Sequence, residues 1–435
     1  MSDAMHTNAK PANEQTRRSS LRDLFAVNFG NVLEWFDWTI YTIFARYFAA
    51  QFFPSSDPVA SLLAALAVFA AGFLTRPLGG FIFGLYADRV GRKQSLTLAM
   101  FITAGGSLVI AVTPTFETIG FAASLVLLLA RLAQGIAHGG EMGTSVTYLV
   151  EQARKNRRAL FGSTSWMSVV LGAMLATLTG LALNNLFDAE QIRVWAWRIP
   201  FALGGVLGLY GIYLRRRLSE TDIFRKAGQT GVVKVNKMAA LLQNWRGVAV
   251  VLGLSAGGSI MFYTWLIYAP TYAQIAHGLD AASALKASLI AQCVFLLAIP
   301  LVGWLADIIG RRIFIIIFGL GFICLTFFLD GLVDNSFGGL LAAMVIALVL
   351  VACLFGVNTA VWTEVFPTHI RATGVSGPMS LATAIFGGTA PYVNTWLGHI
   401  GQHRWFLIYL MTVAAITLLT GLLTVETKDL DLNRA

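Results

Sequence analysis

The sequence predicts an all-α polytopic membrane protein, with twelve transmembrane helices arranged as two six-helix domains. Three observations carry this. Hydrophobic residues make up 57% of the 435 residues and charged ones only 12%, whereas a soluble domain carries about 25% charged residues; mean hydropathy is +0.70. The apolar residues come in continuous runs of roughly 20, enough to cross about 30 Å of hydrocarbon as helix. A charged cluster also appears twice: Gly84-Leu85-Tyr86-Ala87-Asp88-Arg89-Val90-Gly91-Arg92-Lys93 returns as Gly303-Trp304-Leu305-Ala306-Asp307-Ile308-Ile309-Gly310-Arg311-Arg312. The two aspartates lie 219 residues apart, near half the chain length. A β-barrel would alternate apolar and polar residues, and a soluble chain this apolar would expose patches that aggregate.

Taken in order, residues 1–23 form a polar tail with no apolar core of its own, so it does not read as a cleavable signal peptide. Six spans follow over 24–49, 60–85, 94–112, 118–149, 158–184 and 198–216, the first domain being 24–216. Residues 217–246, opening after Arg215-Arg216, read as a hydrophilic cytoplasmic linker. The second domain, 247–422, holds spans over 247–274, 284–305, 312–330, 337–362, 372–397 and 404–422, and 423–435 is a second tail. Net charge is +9, but the basic residues concentrate in the tails and alternate loops. The opposite loops carry Asp57, Glu117, Asp188, Glu190, Asp280, Asp330 and Asp334. That is the positive-inside pattern, which places both termini in the cytoplasm and argues against nucleic acid as the partner. Cys293, Cys324 and Cys353 lie in apolar runs at spacings that suggest neither a disulfide nor a metal site.

Gly135 and Gly139, like Gly80 and Gly84, are four apart and face one side of their helices, where small residues let backbones approach closely. Pro77, Pro200, Pro270, Pro300, Pro378 and Pro391 interrupt spans or their ends. Each serves either as a static kink or as a point of bending during gating.

Ionisable residues at membrane depth are costly, so each marks a functional hypothesis. Glu34 and Asp37 stand one turn apart on the first span, Arg76 lies in the second, and Arg131 lies in the fourth, one turn from Gln134. Two carboxylates beside an arginine suit proton loading and release, or else a permanent ion pair that fixes packing. Arg76, flanked by Thr75 and Pro77 among glycines, suits bidentate binding of a carboxylate in an open region. Tyr263, Tyr268 and Gln274 of the seventh span and Asn358 of the tenth are the candidate partners across the site. Arg198 either attracts anions at the outer mouth or anchors that boundary beside Trp195 and Trp197. His138 reads as a proton shuttle or, more plainly, a packing histidine. Glu364 stands at a helix end. No nucleotide-binding fingerprint or metal-ligand spacing occurs, which points to an ion gradient as the energy source.

The paired Gly-x-x-x-Asp-x-x-Gly-Arg clusters at 84–92 and 303–311 resemble the cytoplasmic loop signature of the major facilitator superfamily. Arg131-Leu132-Ala133-Gln134-Gly135, followed by Gly139-Gly140-Glu141, is similar to its fourth-helix motif. More narrowly, four segments resemble the metabolite:H⁺ symporter family, which includes α-ketoglutarate permeases and proline/betaine, citrate and shikimate transporters. They are Gly30 to Asp37, Gly72 to Gly80, Trp197-Arg198-Ile199-Pro200-Phe201 and Glu364 to Arg371. Short tails and Phe262-Tyr263-Thr264 are most similar to the α-ketoglutarate permease branch, and the resemblance spans roughly residues 25–422. The fifth span lacks the Gly-Pro-rich signature of antiporters, which favours symport.

The resemblance implies a secondary transporter rather than an enzyme, working by alternating access as a monomer in a bacterial inner membrane. It implies a small anionic metabolite and protons as partners, with no cofactor or metal. Arg76, Arg198, Tyr263, Tyr268, Gln274 and Asn358 would meet substrate, and Glu34, Asp37 and Arg131 would couple the proton. Asp88, Arg92, Asp307, Arg311, Glu364 and Arg371 would gate. Ile308 replaces the arginine of the first cluster, Arg89, so a weaker second latch is expected. A receptor that binds without flux is the alternative class, and the short tails offer it no signalling segment.

Overall fold

A computed structural model describes residues 12–90, 92–139, 150, 153, 155–216, 241–367, 370–428 and 430. Its long helices are α1 (Ala12–Phe52), α2 (Pro58–Leu74 continued by Arg76–Val90), α3 (Arg92–Val112), α4 (Phe121–Gly139), α5 (Arg158–Leu186) and α6 (Arg198–Arg216). They continue with α7 (Trp245–Phe262, then Ala269–Ala276), α8 (Ala281–Ile309) and α9 (Arg312–Leu332). The last are α10 (Phe337–Phe355, then Asn358–Glu364), α11 (Arg371–Ala382, then Ala390–His399) and α12 (His403–Leu423). No strand occurs among the described residues.

Eight helices among the described residues are individually long and apolar enough to cross a membrane, and a bent pair, Ala189–Ala196 with Arg198–Tyr213, makes a ninth. The other three long helices fall short for identifiable reasons. α1 opens on polar residues and buries Glu34 and Asp37, the apolar part of α3 shortens to Thr97–Val112, and α11 is interrupted. The helix of α1 begins at Ala12, inside the expected polar tail. Residues 12–29 contain neither Gly nor Pro and include Glu14, Gln15, Arg17, Arg18 and Leu21, good helix formers that let the span propagate outward. The 217–246 linker falls mostly outside the described residues.

Within the first six helices, α1 packs on α2, α5 and α6, and α4 packs on α2 and α3. Within the second six, α8 and α9 flank α10, and α12 packs on α7 and α9. Two seams join the sets, α5 against α8 and α2 against α11. Glycines make the α2–α4 crossing close. A Cβ on Gly135 would stand 1.9 Å from the Gly72 carbonyl oxygen, and one on Gly139 would stand 1.9 Å from that of Arg76.

Three wide-turn segments precede prolines: Ile192–Ala196 before Pro200, Tyr263–Tyr268 before Pro270, and Thr383–Gly387 before Pro391. A proline cannot donate to the carbonyl four residues back, so the ladder loosens there. Such widened turns place side chains that a regular helix would turn elsewhere.

Candidate functional site

The buried charges pair in two rungs between α1 and α4. Arg131 Nη1 donates to Asp37 Oδ2 at 2.8 Å, and His138 Nδ1 lies 2.8 Å from Glu34 Oε2. Glu34 and Asp37 are three apart, Arg131 and His138 seven apart, so each pair shares one helix face. The Ser107 hydroxyl of α3 donates to Asp37, and Gln134 Nε2 donates to Ser107 Oγ at 3.0 Å. Burial of these groups is close to complete, from 0% exposure at Arg131 to 3% at Glu34. Asp37 and Glu34 thus have different ion-pair partners, Arg131 and His138, and the hydrogen bond of His138 fits a packing as well as a proton-carrying histidine. The reason is register: at the crossing, Glu34 sits one turn before Asp37 on α1, opposite His138.

Arg76 opens the second segment of α2, where Pro77 interrupts the helix. It is only 2% exposed, not in an open region. Its guanidinium lies over the Phe73 ring at 3.6 Å and the Trp38 ring at 4.5 Å, and the Trp38 ring also lies 5.3 Å from the Arg131 guanidinium. Tyr263 and Glu34 are its electrostatic neighbours. None of its three nitrogens makes a well-formed hydrogen bond. A buried cation with bare donors is strongly unfavourable unless an anion completes it.

Tyr263 leads from Arg76 into a small cavity of about 20 Å³ between the helix sets. Trp35 of α1, Trp166 of α5, Ser255 of α7, and Asn358 and Trp362 of α10 are among its walls. That volume suits one water and not a metabolite, so the site must widen to accept a solute. Arg76, Tyr263 and Asn358 are thus brought to one region. The other three expected binding residues are not. Tyr268 bonds Thr395, Gln274 bonds Arg46, and Arg198 donates to the Ala111 and Thr113 carbonyls at 3.0 and 2.6 Å while lying over Trp197. Proline-terminated wide turns carry Tyr268 and Gln274 past the cavity, and Arg198 satisfies the otherwise unpaired carbonyls at the end of α3. The tryptophans were not singled out from sequence, because an aromatic in an apolar run reads as core. Their position away from the membrane boundary, where tryptophan is enriched, was the available signal.

Both ends of the seams are fastened. At one, Asp307 accepts the Ala159 and Leu160 backbone N–H groups of α5 at 3.1 and 3.0 Å. Arg311 pairs with Asp307 at 3.0 Å and Glu364 at 3.3 Å, and Arg158 reaches Glu364 at 3.6 Å. Arg371 Nε holds the Thr363 carbonyl at 2.9 Å, closing the end of α10. Ile308 is 51% exposed, and its side chain is not part of this network. The Asp88 and Arg92 side chains lie outside the described residues. Beyond α12, Glu426 accepts the Arg311 and Arg312 N–H groups, and Arg158 donates to the Leu430 carbonyl at 2.8 Å. Burial raises the Glu426 carboxyl, but the N–H groups of Arg311, Arg312 and Lys428 outweigh it and hold it below the ordinary value. At the opposite end Arg46 bonds Gln274, and His399 Nε2 lies 3.2 Å from Asp57 Oδ2.

Two sets of six helices meeting at two seams, around a buried site closed at both ends, define a polytopic membrane transporter. The pattern of the Major Facilitator Superfamily matches residues 27–376, and the chain belongs to that family. It is 38% identical to the alpha-ketoglutarate permease of Escherichia coli (strain K12), over 95% of this chain and 96% of that one. It is 34% identical to the citrate-proton symporter of Klebsiella pneumoniae, over 90% and 89% of the two chains. The xylose transporter XylE from E. coli, in a partially occluded inward open conformation, superposes with a TM-score of 0.72 at 20% identity, covering 94% of this chain and 99% of that one. At that identity the likeness speaks for the fold alone.

Proposed function

We propose that the protein is a proton-coupled symporter, importing a small carboxylate, a dicarboxylate such as α-ketoglutarate, across a bacterial inner membrane. The Asp307 end faces the cytoplasm with both termini. The observation that carries this reading is Arg76, a buried guanidinium beside Tyr263 whose donors lack well-formed hydrogen bonds, next to a cavity between the two helix sets. A carboxylate matches its fork geometry. Kinship with carboxylate transporters supports the same class.

Coupling follows from what surrounds Arg76. Glu34 is its electrostatic neighbour and shares a hydrogen bond with His138, so a proton can reside on that pair. Protonation cancels the Glu34 charge and leaves Arg76 free to attract an anion. By reciprocity, a bound anion then favours the proton. Asp37 and Arg131, paired with each other, act as the fixed rung beside this mobile one. With Glu34 protonated, Arg76 and one substrate carboxylate neutralise each other, and the helix sets can rock with one end unfastened at a time.

Uptake of labelled α-ketoglutarate into proteoliposomes under an imposed pH gradient tests both parts. Accumulation should follow the gradient and vanish in R76A. Uptake indifferent to the gradient refutes coupling, and equal uptake by R76A refutes the binding role. A second reading comes from the aromatic walls: Trp35, Trp166 and Trp362 would also suit a quaternary ammonium solute. In that case betaine would be carried and R76A would carry it too.

A further inference from the structure

Beyond Tyr263 the cavity ends in neutral donors that meet no acceptor of the protein. Asn358 is fully buried, and its Oδ1 accepts Trp166 Nε1 at 3.0 Å and Thr359 Oγ1 at 3.2 Å. An indole N–H can only donate, so the amide orientation is set and Nδ2 is left as the outward group. That nitrogen has no hydrogen-bond partner. Trp362, one turn further along α10, is 1% exposed, and its Nε1 has none either. Ser255, on α7, is 2% exposed with an unpartnered Oγ. All three line the same cavity as Tyr263.

Packing gives no reason for these groups. Phenylalanine at 362 and alanine at 255 would fill nearly the same space without stranding a buried donor, which is destabilising. Asn358 and Trp362 offer hydrogens only, and Ser255 adds a hydroxyl that can donate. Together they match the acceptor-rich oxygens of a carboxylate and not a hydroxyl-rich sugar. They are also uncharged, so they can hold an anionic group without a second permanent cation in the membrane interior.

We infer that Asn358, Trp362 and Ser255 form a second anion subsite, receiving the distal carboxylate of a dicarboxylate whose other end pairs with Arg76. The inference rests on the reading of Arg76 as the anion anchor and extends it to selectivity. Trp35 and Phe262, with ring centroids 5.3 Å apart, line the same cavity as these groups.

Calorimetric titration of the purified full-length chain with 2-oxoglutarate and with 2-oxopentanoate, which lacks the distal carboxylate, tests it. Wild type should prefer the dicarboxylate. W362F and S255A should each weaken 2-oxoglutarate binding roughly ten-fold, the scale of one hydrogen bond to a charged group, with 2-oxopentanoate unchanged. R76A should weaken both ligands. The subsite is overturned if W362F and S255A leave the dicarboxylate unaffected, or if they weaken both ligands alike. S255A, the smaller change, decides the matter if W362F does not fold. Wild type that binds neither acid, or R76A that binds both normally, overturns the Arg76 reading itself and this subsite with it.

Discussion

Replacing Asp307 with alanine tests whether the α5–α8 seam is a gate. The carboxylate caps two backbone N–H groups of α5, Ala159 and Leu160, at 3.1 and 3.0 Å. Loss of such a cap costs about 1–2 kcal/mol. Breaking a buried ion pair costs about 3–5 kcal/mol when the remaining charge is stranded. Arg311 is not stranded, because Glu364 lies 3.3 Å away, so the lower figure applies. Donor and acceptor belong to opposite helix sets, so this energy exists only while the end is closed. At about 1.4 kcal/mol per factor of ten, the closed-to-open ratio should fall roughly ten-fold. The assay is a pulsed electron-resonance distance between spin labels at Arg157 and Ile308, both exposed, with the three native cysteines replaced. D307A should add a longer distance component. Identical distributions in D307A and the Asp307 parent would refute the reasoning.

Glu34→Gln should uncouple: substrate exchange across the membrane persists, while accumulation driven by the pH gradient falls by the ten-fold per pH unit that one proton supplies. Retained accumulation would move the proton site elsewhere. Gly139→Ala places a Cβ 1.9 Å from the Arg76 carbonyl oxygen. It should lower stability by about 1–3 kcal/mol and weaken carboxylate binding, read by thermal unfolding and calorimetry. Gly105→Ala, with nothing within 4 Å of the added Cβ, should lower neither and can raise stability by up to about 1 kcal/mol. The Glu426 carboxyl titrates below its ordinary value in the folded state, so its contribution is present above the ordinary glutamate range and lost as pH falls through the folded value. A spin label at Val425, 78% exposed, should stay restrained at neutral pH and loosen in acid. E426Q should be looser at neutral pH as well.

Much of the fold was legible because hydrophobic span length and loop charge are local properties. Asp307, repeated at half the chain length and set in a turn, stood out as a residue of interest before any contact was known. Arg76 stood out for the same reason, a charge where charge is expensive. Partner choice was less legible. Glu34 and Asp37 share a face, which suggested a common site, yet the α1–α4 crossing sends one to His138 and the other to Arg131. Tyr268 and Gln274 share the seventh span with Tyr263, but a wide turn before Pro270 directs only Tyr263 toward Arg76.

By itself the sequence determined that this chain is a helical membrane protein with a duplicated charged turn and rare buried charges. These follow from the cost of placing polar groups in hydrocarbon, which each residue meets regardless of its neighbours. Tertiary structure alone decided which charges pair, which carbonyls Arg198 holds, and that Asn358, Trp362 and Ser255 line one cavity. Those outcomes depend on where helices distant in sequence cross, and a shift of one residue in register turns a side chain by about 100°.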